Sequence, residues 1–226
     1  MSLRGLSAIL ALTTALGAAS GSRAGDETAS VKGEAAKDAA KTATSEKAAK
    51  GKVENPKTEV ATFGGGCFWS MEAIFERIKG VKSVVSGFSG GNVANPSYEQ
   101  VCTGSTGHAE VVQVVYDPSV VAYEKLLKVF WAAHDPTTLN SQGDDFGPQY
   151  RSAVFFHNEE QRKAILKAYE DMTNRKVFQD PIVTELVPYT AFFRADSYHQ
   201  NYYRRNRDSE YSQMYIVPKL RKLKLK

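Results

Sequence analysis

Apolar side chains first recur with a period at Thr58. From there Val60, Ala61 and Phe63 run into Gly64–Gly66, which predicts a strand over Thr58–Phe63 entering a glycine turn. Phe68, Met71, Ile74, Phe75 and Ile78 follow at helical spacing, so Cys67–Lys79 reads as a helix that Gly80 stops. Val81–Gly87 suits a second strand. Ser97, with Gln100 three residues on, begins a short helical turn, and Ala109–Tyr116 is a Val-rich third strand. Tyr123–Trp131 has the period of a helix, and the polar stretch His134–Tyr150 reads as a long loop. Ser152–Phe156 is a strand, Asn158 N-caps a helix reaching about Arg175, and Ile182–Leu186 is a last strand. Strands alternating with helices predict an α/β (α+β) sandwich around one sheet, without an internal repeat.

Before this region the pattern is different. Arg4 precedes an apolar, charge-free run from Leu6 to Ala19 that ends in small residues, the layout of a signal peptide over 1–24. The run is short for a membrane span, and no later segment is long enough for one. The expected location is therefore outside the cytoplasm, periplasmic or secreted. Residues 25–57 are Ala, Lys, Glu, Thr and Ser with almost no large apolar side chain. Such a stretch cannot offset its own ordering entropy and reads as a disordered linker.

The chain has 226 residues, 42% of them hydrophobic, enough for the core of one domain over 58–218. The formal net charge is +4, but Lys219, Arg221, Lys222, Lys224 and Lys226 carry +5, which leaves the rest near −1 by difference. Residues 219–226 therefore read as a solvated basic tail. No basic face suggests nucleic acid, and the unit is expected to act as a monomer.

Only two cysteines, Cys67 and Cys102, occur in the chain, too few for a disulfide framework. Gly64-Gly65-Gly66-Cys67-Phe68-Trp69 places one of them where a strand ends and a helix begins. The unpaired N–H groups and dipole of that helix end favour a thiolate, so the position is expected to lower the pKa of Cys67. Glycines allow a sharp turn and leave room beside the sulfur. The residues alone also admit Cys67 as a small buried hydrophobe. Trp69 suits a pocket wall better than a core, because its N–H needs a partner. Glu110 ends the polar loop Gly104–Ala109 as the third strand enters the sheet. If sealed in an apolar pocket, it becomes a general acid.

Other motifs carry less. Gly87-Phe88-Ser89-Gly90-Gly91 fits the spelling of a serine nucleophile elbow, but Gly90, Gly91, Asn92 and Pro96 follow where that motif needs a helix. No glycine spacing matches a nucleotide loop, and His108, His134, His157 and His199 show no metal-ligand spacing with either cysteine. His108 or His199 could pair with Cys67 across the fold, as in a cysteine hydrolase.

Four blocks then carry a resemblance: Gly66-Cys67-Phe68-Trp69; Asn95–Cys102 (NPSYEQVC); Gly107-His108-Ala109-Glu110; and Gln142–Asp145 (QGDD) with Gln149–Ala153 (QYRSA). From about Thr58 to Pro218, in this order, the chain closely resembles the A-type peptide methionine sulfoxide reductases. The resemblance implies a single-domain, ferredoxin-like two-layer sandwich around a mixed sheet. It implies Cys67 as the nucleophile, Phe68 and Trp69 holding the S-methyl group, Glu110, Tyr98 and Tyr150 around the sulfoxide oxygen, and Asp145 supporting the site. The substrate is then the S epimer of methionine sulfoxide, free or in proteins, reduced through a Cys67 sulfenic acid without a bound cofactor or metal.

Two departures stand out. Phe88 occupies a turn where the family usually has Tyr, which is expected to alter packing more than chemistry. Many members also carry a recycling cysteine shortly before the Pro-Lys-Leu run, whereas here Tyr211-Ser212 precedes Pro218-Lys219-Leu220 and no cysteine follows Cys102. The sulfenic acid is then resolved by Cys102 or by an external thiol, a thioredoxin-like protein or a small thiol. Cys102, between Val101 and Thr103, reads as buried and structural, with the resolving role as the alternative.

Overall fold

The structure, a computed structural model, describes residues 57–225. The expected signal peptide, and the expected linker up to residue 56, lie outside the described residues. No described helix is long and apolar enough to cross a membrane.

The chain begins with β1 (Glu59–Gly65), α1 (Phe68–Phe75), β2 (Val81–Ser89), α2 (Tyr98–Cys102), β3 (Ala109–Tyr116) and α3 (Tyr123–Ala133). It continues with β4 (Ser141–Gln142), β5 (Asp145–Phe146), β6 (Ser152–Phe156), α4 (Glu159–Asn174), β7 (Glu185–Pro188) and β8 (Phe193–Arg194). Last come α5 (Tyr202–Arg205), a π-helical turn (Ser212–Ile216) and α6 (Val217–Lys222). The main sheet runs β7-β6-β1-β3-β2-β8, and β4 pairs with β5 apart from it. Its centre, β6-β1-β3-β2, is antiparallel, while β7 joins β6 in parallel, so the sheet is mixed. Taken with α1 and α3, these four strands give the βαββαβ order of a ferredoxin-like fold.

Alternation along β3 decides which face is which. Val112 and Val114 point to the main core, and Val111 and Ala109 to a smaller cluster closed by Val187, Tyr189 and Phe192. Phe63 of β1 lies opposite Val112 and Val154 and is fully buried. Its ring stacks on Phe75 of α1 at 5.0 Å and on Phe130 of α3 at 5.2 Å, tying both helices to the sheet. Full burial of each such ring contributes roughly 1.5–3 kcal/mol.

The caps form as expected. Ser97 Oγ accepts from the Gln100 N–H at 3.2 Å while Gln100 Oε1 accepts from the Ser97 N–H at 2.9 Å. Asn158 Oδ1 accepts from the Gln161 N–H at 2.8 Å, starting α4.

Other boundaries move for local reasons. α1 ends at Phe75 instead of Lys79, because Arg77 and Ile78 donate to Ile74 and Phe75, three residues back, and tighten the last turn. Gly80 then turns the chain at φ +100°, where an added Cβ would stand 2.7 Å from Val121 Cγ1. β7 begins at Glu185 because Val183 gives its N–H to Pro136 and Thr184 shares a hydroxyl bond with Ser152. The expected loop His134–Tyr150 contains the β4–β5 hairpin and a 3₁₀ turn at Pro148–Tyr150.

The basic tail is corrected most. Residues 219–222 belong to α6, and Leu220, like Ile216 before it, is buried in the main core. The charge run hid an apolar face, since Ile216, Leu220 and Leu223 recur at helical spacing. Leu220→Ala should therefore destabilise the domain by about 2–4 kcal/mol, read from urea unfolding. A solvated tail would give no change.

Candidate active site

The turn between β1 and α1 is built around Gly66. Its φ is +86°, and a Cβ there would lie 2.6 Å from Gln142 Cγ, so a side chain would meet both strain and the β4–β5 hairpin. Cys67 follows as the N-cap of α1 and is 7% exposed. Helix geometry leaves the N–H groups of Phe68 and Trp69 without intrahelical acceptors. The Phe68 N–H donates to Glu110 Oε2 at 3.0 Å, and the Trp69 N–H at the helix start favours charge on the Cys67 sulfur.

Glu110 comes from β3, opposite Phe88, and is 1% exposed. Burial pushes its carboxyl up to about 8, the Phe68 N–H pulls the other way, and Asp145 raises it further. At neutral pH it is mainly the neutral acid. Burial also pushes the Cys67 thiol well above its ordinary range, with the Glu110 charge adding to the effect. The expected lowering is therefore corrected. The helix N–H and the Tyr211 hydroxyl do favour the thiolate, but desolvation outweighs them. In the resting site, sulfur and carboxyl both hold their protons, and ionising one opposes ionising the other.

An aromatic wall stands beside the sulfur. Trp69 stacks on Tyr202 at 3.7 Å and 7°, and meets Tyr211 edge-on at 5.2 Å. Its indole N–H donates to His199 Nδ1 at 3.2 Å, which supplies the partner that the ring needs. Phe68 packs on Phe88 at 5.9 Å, Tyr98 at 6.5 Å and His199 at 5.0 Å. Phe88 is buried and packs against Phe68. Buried Glu72, on α1, accepts the Tyr202 N–H at 3.2 Å and so fixes the ring that stacks on Trp69.

Polar groups gather on the other side. Burial raises the phenols of Tyr98 and Tyr150, and Glu110 raises both further, so each stays a neutral donor near the carboxyl. Burial raises Asp145 as well, while the Lys219 ammonium and a hydrogen bond from Tyr211 hold it down. Every residue expected at the site thus meets here, Cys102 included. Cys102 is exposed, not buried as its apolar neighbour Val101 suggested. It ends α2 one turn after Tyr98.

Sequence reasoning missed Tyr211, Tyr202 and Lys219, and met His199 only as a possible base. No local pattern marks them, because α5, the π-helical turn and α6 reach the site from the far end of the chain. His199 serves Trp69, and His108 holds the Gly91 N–H and the Val93 carbonyl, so neither hydrogen-bonds Cys67.

A buried sulfur facing a protonated carboxyl and several phenols, with an apolar wall and no histidine base, is equipped for thiol redox chemistry at a small polar substrate, not for acyl transfer. On a ferredoxin-like sheet this describes a thiol oxidoreductase. The chain belongs to the peptide methionine sulfoxide reductase family, whose model matches residues 59–226. It is 55% identical over 167 residues to "Peptide methionine sulfoxide reductase MsrA 1" of Rhodopirellula baltica, covering 74% of this chain and 86% of that one. It is 53% identical to the MsrA of Sulfolobus acidocaldarius, covering 73% and 92%. Among solved structures, reduced Mxr1 from Saccharomyces cerevisiae matches with a TM-score of 0.64 at 34% identity, over 69% of this chain and 90% of that one. The methionine sulfoxide reductase A of Corynebacterium diphtheriae matches with 0.61 at 33%, over 69% and 78%.

The raised carboxyl has a thermodynamic consequence. Stability from neutral Glu110 is fully present below its ordinary 4.5 and is lost as pH rises through about 8. Urea midpoints should therefore fall across this window in the wild type, and Glu110→Gln should flatten the fall. An unchanged slope in the variant would assign the effect to another group.

Proposed function

We propose a route for the family reaction, methionine sulfoxide reduction, in which Cys67 is the nucleophile and Glu110 the proton donor. The observation that carries it is Glu110 itself, buried, protonated at neutral pH and held by the Phe68 N–H beside the sulfur. The substrate's methyl group lies against Phe68 and Trp69. Its oxygen points to Glu110, Tyr98 and Tyr150, with Asp145 steadying Tyr211. As the Cys67 sulfur bonds to the substrate sulfur, Glu110 protonates the sulfoxide oxygen and takes up the thiol proton in return; the hydroxyl then moves to Cys67 as the sulfur–sulfur bond breaks. The net change transfers oxygen from substrate to enzyme, so Cys67 thiol becomes a sulfenic acid and methionine leaves. The chiral division between apolar wall and hydrogen-bond donors supports selection of the S epimer, free or in proteins.

A thiol from outside, on a thioredoxin-like protein or a small molecule, then attacks the sulfenic acid and releases water. A second thiol equivalent restores Cys67. One observation favours a second reading of recycling. Cys102 is exposed and lies one helical turn from Tyr98, on the side of the site occupied by Tyr150 and Glu110, which supports a role as the resolving thiol. The amino-terminal pattern supports export, and with it repair of oxidised methionine in the periplasm or outside the cell.

Single-turnover reduction by the reduced protein, with methionine formed and thiols lost both counted, tests these steps. The S sulfoxide should give one equivalent of methionine at the cost of one thiol, and the R sulfoxide should give none. Loss of two thiols would instead make Cys102 the resolving residue. Cys67→Ser should abolish the reaction, and Glu110→Gln should slow it by roughly 10²-fold or more without unfolding the protein. Full activity in either variant would sink the route.

A further inference from the structure

We propose that His199 is a positioning residue for the reaction: neutral, with its proton on Nε2, it is the fixed acceptor that aims the Trp69 ring at the substrate's methyl group.

The tautomer follows from what the indole can do. Its N–H is a donor and nothing else, so His199 Nδ1, 3.2 Å away, must offer a lone pair. A neutral imidazole then carries its one proton on Nε2. Among the described residues Nε2 is buried without a partner, so the bond from Trp69 is the one hydrogen bond that the ring nitrogens make. A buried ring that leaves its other nitrogen unpaired calls for an explanation beyond its own satisfaction.

The mount and the neighbours supply one. His199 lies in the turn ahead of α5, and the next residue, Gln200, is fastened to β2. Gln200 Oε1 accepts the Ser86 N–H at 3.0 Å, and Gln200 Nε2 donates to the Ser86 and Ala195 carbonyls at 2.9 and 2.8 Å. From α5 the Arg205 guanidinium donates to the Ser197 and Tyr198 carbonyls at 2.9 and 3.0 Å. The turn is thus tied from two sides. The imidazole packs 5.0 Å from Phe68, 5.7 Å from Trp69, 4.4 Å from Tyr98 and 4.0 Å from Tyr198. It therefore adjoins both rings that hold the methyl group in the route above, and one of the phenols at the oxygen. Stacking on Tyr202 fixes the tilt of the indole but lets it slide in its own plane, and a directional bond at its edge removes that freedom.

A charge on His199 would break this arrangement, because protonated Nδ1 would point a second donor at the indole N–H. Burial opposes the charge more strongly than Asp196, in the same turn, and Glu99, from α2, favour it. Phe68 and Trp69, which face the ring from α1, do not titrate, and the phenols of Tyr98 and Tyr198 are neutral.

The inference rests on Trp69 as part of the substrate wall, and its first test needs no turnover. Nitrogen-15 NMR of the full-length wild type should show His199 neutral at pH 7 with the proton on Nε2. A charged ring or the opposite tautomer overturns the proposal. In single-turnover reduction of the S sulfoxide, His199→Phe keeps a ring but no acceptor. It should raise the half-saturating concentration roughly three- to tenfold, with a smaller change in the limiting rate. His199→Asn, whose Oδ1 can stand in for Nδ1, should recover most of that loss. An unchanged half-saturating concentration in the Phe variant overturns the proposal, and so does an equal rise in the Asn variant, which would reveal packing instead of the hydrogen bond. Should the Phe variant not fold, the tautomer read in the wild type still decides. A wild type that shows this tautomer but reduces no sulfoxide marks a failure of the reductase route, not of the pair.

Discussion

The structure depends on the hydrogen bond from the Phe68 N–H to Glu110. A helix beginning at Phe68 must find acceptors for its first N–H groups, and a carboxyl inside a protein must find donors. Each requirement meets the other, because β3 lies beside β1 and brings Glu110 under the start of α1. Sealing this pair away from water is what keeps the carboxyl protonated, and what keeps the thiol beside it protonated too. The site thus rests uncharged at its centre and holds its acid and its nucleophile ready together.

Most of the remaining architecture protects that arrangement. Gly66 and Gln142 fix the turn before Cys67, and α5 and the π-helical turn carry the aromatic rings that roof it. Glu72 pins Tyr202, His199 pins Trp69, and Tyr211 reaches sulfur, Asp145 and the Trp69 ring from one position. A site of this kind relies on rigid neighbours more than on charge pairs at the surface, which contribute little.

Much of this was legible in the residues, and the reasons for success and failure differ by element. The central strands, α3 and α4 follow from periodicity, because each has one face in the core. The caps of α2 and α4 follow from Ser97 and Asn158, because capping is local. Cys67, Glu110, Phe68 and Trp69 stand out because they flank sharp turns. The sign of the Cys67 shift did not follow, since burial is a property of the fold and the helix end is only one contributor. Cys102 was misjudged because Val101, fully buried, points the opposite way from its neighbour. The C-terminal helix is hidden in the sequence because its lysines outnumber the apolar positions Ile216, Leu220 and Leu223 that pack on the core. Tyr202 and Tyr211 join the site through contacts that span more than a hundred residues, which no window detects.

That span also sets an order of assembly. Cys67 leaves the ribosome about 150 residues ahead of Lys219, and the rings that shield it arrive last. A contact between positions so far apart closes late, because its loop entropy must be met first. Until then the sulfur is an ordinary accessible thiol, open to whatever oxidant surrounds the growing chain. Docking of α5 and the π-helical turn is therefore the event that turns a vulnerable cysteine into a guarded one.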